Sequence, residues 1–174
     1  MIPELDKDSP ARPVKSGRAT LSALQRAIGL LARREHSRQE LREKLLQRGH
    51  VETEVEDALR QLIDKGLQSE ERFAGSLART RMAAGHGPLR IENDLRQQAL
   101  GAELIDATMA GFQTDWFSQA LNVLRRKFGE SITDATDDYS QKLKRRNRQL
   151  AFLLRRGFDM ETAREALSRW ERSH

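Results

Sequence analysis

Three observations predict an all-α chain. Leucine occurs 23 times against ten valines and isoleucines together, Pro88 is the only proline after Pro13, and apolar residues recur at helical spacing from Leu24 onward. Leucine is a good helix former, β-branched residues favour strands, and proline interrupts either element. The spacing puts the apolar side chains of each segment on one face. The expected architecture is three tandem three-helix repeats in an elongated, curved array.

Residues 1–18 hold three of the four prolines and alternate charge without apolar periodicity, so a flexible tail is expected there. The first repeat, residues 19–66, begins with Leu24, Ile28 and Leu31 on one helical face. Ser37 and Glu40 form a capping-box pattern that starts a second helix, in which Leu41 and Leu45 are buried and Gly49 supplies the terminating positive φ. A third helix carries Val55, Leu59 and Leu62 and closes at Lys65-Gly66.

Shifting the sequence by fifty positions carries Leu41, Leu45, Gly49, Val55, Leu59 and Leu62 onto Ile91, Leu95, Ala99, Ile105, Met109 and Phe112. This is the second repeat, residues 67–113, with Ser69 capping the helix of Phe73 and Leu77 and Pro88 at a first helical position. A shift of 108 carries Leu45, Gly49, Val55, Leu59 and Leu62 onto Leu153, Gly157, Ala163, Leu167 and Trp170. The third repeat, residues 114–174, starts at Thr114 or Asp115 with Phe117, Leu121 and Leu124, and holds a polar insertion over about 130–139. Trp170 is expected in the core.

The chain has no cysteine, so disulfides, thiolate metal sites and cysteine nucleophiles are excluded. No run of 18 apolar residues is present, and the polar, acidic start is unlike a signal peptide; a cytoplasmic monomer is expected. Nucleotide-binding loops of the GxxxxGK[ST] or GxGxxG type and the GxSxG elbow are absent. Gly85-His86-Gly87-Pro88 reads as a helix junction. His36, His50, His86 and His174 lack the spacing of a zinc pair and are expected to be solvent-exposed or at helix ends. Asp137-Asp138 is expected to cap the helix that follows. These absences point away from catalysis, and no cofactor or metal is expected.

The net charge of +5 is concentrated. Between Leu121 and Phe158 ten lysines and arginines face four acids, leaving +6 there and a nearly neutral remainder. The basic residues are Arg125, Arg126, Lys127, Lys142, Lys144, Arg145, Arg146, Arg148, Arg155 and Arg156, and the first repeat adds Arg33 and Arg34. Such a field attracts phosphate or an acidic protein surface, and all twelve are candidate partner-binding residues.

The run from Ala27 to Ser37 (AIGLLARREHS), with Glu40-Leu41 and Leu45, resembles the opening of RecX proteins, regulators of the recombinase RecA. Lys65-Gly66-Leu67, Arg72-Phe73-Ala74, the Gly85–Pro88 block with Arg90-Ile91 and Leu95, and Leu154–Phe158 follow in the family's order. Ala99 departs from it, standing where glycine is usual, so the turn is expected to shift by two residues to Gly101. The resemblance implies a non-enzymatic modulator that binds RecA and RecA–DNA filaments and restrains recombinase, ATPase and coprotease activity. The basic third repeat and the arginines of the first would then anchor it, with Arg145, Arg146 and Arg148 as the anchor to test. An autonomous nucleic-acid-binding helical module, contacting DNA phosphate directly, is the alternative.

Overall fold

The computed structural model describes residues 21–129 and 138–172. The expected tail, residues 130–137 of the insertion, Asp137 and His174 lie outside the described residues. Among the described residues there are nine helices and no strand: α1 Ala23–Leu31, α2 Arg38–Leu46, α3 Glu52–Asp64, α4 Glu70–Ala83, α5 Pro88–Arg96, α6 Ala102–Ala110, α7 Trp116–Phe128, α8 Tyr139–Arg156 and α9 Met160–Arg172. Every extensively packed helix pair lies within α1–α3, α4–α6 or α7–α9. Each triplet also has its own apolar cluster, so the protein is three small modules in series.

The repeat positions form these clusters. Leu41, Leu45, Ile91, Leu95 and Leu153 are buried, as are Val55, Ile105 and Ala163 on the following helices. Leu59 and Leu62 match buried Leu167 and Trp170 in the third module and the partly buried Met109 and Phe112 in the second. Trp170 packs at 6.2 Å between ring centroids from Phe128, which meets Phe152 edge-on.

Local chemistry ends the helices at the expected places, with three corrections. Ser37, Ser69 and Asp115 accept from the backbone N–H three residues on. Pro88 opens α5, where its missing N–H costs nothing. The reciprocal capping box, however, is Ser22–Gln25, because at Ser37 the Glu40 carboxylate pairs with His36 Nδ1 at 2.6 Å and Arg34 at 2.9 Å. Ala99 itself adopts φ +57°, beside +85° at Gly49 and +89° at Gly157, so the turn is not displaced to Gly101. The helix-ending bonds there hold the chain left-handed despite the Cβ. Lastly, α1 buries Ala23 and Ala27 while Ile28 is 42% exposed. Close approach of α1 to α3 favours the small side chains, and Ile28 is left beside Leu31, Ala32 and Leu67 around a shallow apolar depression.

The two junctions are built differently. Between the first and second modules the contacts are polar: Ser37 Oγ donates to Gln98 Oε1 at 2.9 Å, the Arg38 N–H to Glu70 at 3.0 Å, and Arg72 pairs with Glu35 at 2.8 Å. Between the second and third, backbones touch. Gly87 N–H donates to Arg156 O at 2.8 Å and Leu89 N–H to Gly157 O at 3.0 Å. Trp116 packs against both neighbouring clusters.

Candidate partner-binding surface

Helix α8 carries seven of the twelve candidate cations on 18 residues. Its inner face is set by Gln149 and Leu153, both buried. At 3.6 residues per turn Lys144, Arg148 and Arg155 fall within about 40° of one another on the outer face. All three are exposed and make no ion pair with described residues. They form one continuous basic stripe.

Other members of the set are separated from it. Arg146 is exposed but pairs with Glu171 at 2.8 Å, which ties α8 to α9. Arg145 is half-buried, and Lys142 is exposed on the first turns of α8. Of the three residues of the expected anchor, Arg145 and Arg148 lie about 60° apart around α8, while Arg146 is turned toward α9. Residues close together in sequence spread around a helix, so neighbours along the chain are not always neighbours on the surface.

A second cluster arises from residues distant in sequence. Arg126 and Lys127, on the last turn of α7, meet Arg156 from the end of α8 around a groove of about 300 Å³ between the second and third modules. Arg156 is fixed there: its Nη1 donates to Ala84 O at 2.7 Å and its guanidinium lies 5.3 Å from the Phe152 ring centroid. Arg126 reaches across the junction, with Nη2 3.0 Å from where a Cβ on Gly85 would stand. Arg125 is exposed outside this groove.

Arg33 and Arg34 lie in the first module. Arg33 is exposed, while Arg34 is engaged with Glu40 and the Glu35 carbonyl. No contact among the described residues joins them to the third module's cations. The sequence gives no sign of a fourth cation near the second junction, Arg90, because the turn that brings Arg90 against Gly157 is tertiary.

Two histidines occupy equivalent junction positions. His36 is buried, not exposed, and sits at a helix end. Burial holds its pKa below the ordinary histidine value, although Glu40 opposes this. His86, fifty positions on, has Arg90 where Glu40 would be. Burial again lowers its pKa, and Arg156, Arg81 and Arg90 push the same way against Asp94. Asp94 is itself buried between Arg81 at 2.6 Å and Arg90 at 3.0 Å.

Among the described residues no group of His, Asp or Glu side chains is arranged to hold a metal ion, and no helix is long and apolar enough to cross a membrane. The fold and this surface define a tandem three-helix-module protein with exposed cationic faces. Family models for the first, second and third three-helix domains of RecX match residues 23–62, 69–109 and 113–167. The chain belongs to the RecX family of regulatory proteins. It is 40% identical over 164 residues to the regulatory protein RecX of Xanthomonas axonopodis pv. citri (strain 306), covering 93% of this chain and 96% of that one. It is 39% identical over 143 residues to that of Stenotrophomonas maltophilia (strain R551-3), covering 82% and 83%. The crystal structure of RecX from Lactobacillus salivarius shares the fold, with a TM-score of 0.68 at 19% identity over 86% of this chain and 94% of that chain.

Proposed function

We propose that this protein is a non-enzymatic regulator that binds RecA and the RecA–DNA filament and restrains recombinase, ATPase and coprotease activity, without a cofactor. Membership of a family of regulatory proteins supports the class of activity. The observation that carries the reading on this chain is the stripe of Lys144, Arg148 and Arg155 on the outer face of α8, exposed and without an ion pair to any described residue. Three exposed cations spread over about 16 Å of helix match a repeating polyanion better than a single small anion.

Modules joined in series suit a partner that is itself extended, because each can contact a successive stretch of it. Arg33 and Arg34 would add a contact at the other end. Direct contacts to DNA phosphate would supply salt-dependent affinity, and the protein partner would supply selectivity.

RecA ATPase on single-stranded DNA tests this reading. Addition of this protein well below one copy per RecA is expected to suppress hydrolysis, since one bound copy affects many protomers of a filament. Unchanged hydrolysis at equimolar ratio would reject it. Tight binding to DNA that RecA does not strengthen would point instead to an autonomous nucleic-acid-binding module.

A further inference from the structure

We infer that the groove between the second and third modules takes an acidic side chain on an apolar-flanked segment of a protein partner, separately from the phosphate stripe on α8. The inference rests on the functional reading above, in that RecA filaments are the partner used to test it.

Three properties of the groove carry the argument. Arg126, Lys127 and Arg156 line it, and no acidic residue does among the described residues. A field of one sign in a concavity selects an anion. Its remaining walls are apolar, from Val123, Phe152 and Ala84 among others. Phosphodiester backbone gains nothing from such a floor, whereas the methylenes of an aspartate or glutamate and an adjoining apolar side chain bury against it.

The third property is fixed geometry. Arg156 is held by the Ala84 carbonyl and the Phe152 ring, so one cation is already ordered before a ligand arrives. Arg126 and Lys127 make no ion pair with described residues and remain available. The α8 stripe is cationic too, but it lies on the exposed outer face of a helix and runs along its axis. The two surfaces therefore suit different chemistry, a carboxylate in a pocket and a run of phosphates on a ridge.

Because the groove is walled by both modules, an occupant also bridges them. Binding there would hold the second junction in the arrangement in which Gly87 bonds Arg156.

The test compares two ligands and two sets of variants in the full-length protein. Labelled single-stranded DNA alone is one ligand; RecA filaments on the same DNA, held by a slowly hydrolysed ATP analogue, are the other. Arg126→Gln with Lys127→Gln is expected to weaken filament binding about tenfold while changing binding to DNA alone by less than about threefold. Lys144→Gln, Arg148→Gln and Arg155→Gln together are expected to do the reverse for DNA. All five residues are exposed, and retained DNA binding by the groove variant shows that it is folded.

A groove variant that binds filaments like the parent overturns the inference. So does one that loses DNA and filament binding in equal proportion, since the groove would then be another phosphate site. Parent protein that binds DNA but gains nothing from RecA overturns the functional reading as well, a pattern distinct from both.

Discussion

A Cβ placed on Gly87 would stand 2.5 Å from the carbonyl carbon of Gly157, so the second and third modules approach closer than any side chain allows. Gly87→Ala must push the backbones apart and lose the bond to Arg156 O. The expected cost is about 2 kcal/mol, read as a shift in denaturant midpoint. Gly29, inside α1 with nothing within 4 Å of its Cβ position, is the control. Gly29→Ala should stabilise by about 0.5–1 kcal/mol through helix propensity.

Ala99 makes the opposite prediction. It holds φ +57° where the equivalent residues of the other modules are glycines. Relieving the left-handed strain while loosening the unfolded chain leaves Ala99→Gly stabilising by about 0.5–1 kcal/mol. Thermal unfolding at fixed pH measures it, and a destabilised variant would contradict the assigned turn.

Asp94 is buried, accepts from Arg81 and so ties α4 to α5, and forms an ion pair with Arg90 on its own helix. Asp94→Ala leaves two guanidiniums without their shared carboxylate. A loss of about 2 kcal/mol is expected, lower than for a wholly buried pair because both arginines are substantially exposed. Urea unfolding of the variant, with Arg96→Ala as a surface comparison, tests it.

The two junction histidines set a pH dependence. Both have folded pKa values held below the ordinary 6.5, chiefly by burial, so the unfolded chain binds protons more readily. Stability from this source is complete above about pH 6.5 and is lost as pH falls through that value toward the folded pKa. His86 has three arginines around it and only Asp94 in opposition. Melting curves from pH 7.5 to 5.5 should fall, and His86→Gln should flatten part of the slope. An unchanged slope would show that His86 takes up no proton differentially.

Reversing charge at Lys144, Arg148 and Arg155 should weaken inhibition of RecA ATPase and reduce its dependence on salt by about three counterions' worth of slope. Arg146→Glu should act mainly on stability, because Arg146 already faces Glu171. Equal loss of inhibition from both would mean that the stripe is not the relevant face.

Helical periodicity was enough to place the buried leucines of all three modules, since an apolar side chain every third or fourth position leaves one low-energy arrangement. Caps at Ser37 and Ser69, and one of the two candidates at Asp115, were legible because a backbone N–H three residues away is a local partner, and Pro88 was legible because a first helical position needs no N–H. Charge density on the third module was legible as well. Which cations share a surface was not. Arg126 and Arg156 are thirty residues apart and meet because α7 packs on α8, while the close approach of Gly87 to Gly157 brings Ala83 and Ala84 of the second module against them. Likewise Ile28 carries a core-like pattern yet is exposed, as close packing of Ala23 and Ala27 turned α1 the other way. Local interactions follow from neighbours along the chain, whereas a surface is composed by distances across it, and these are set when the modules pack.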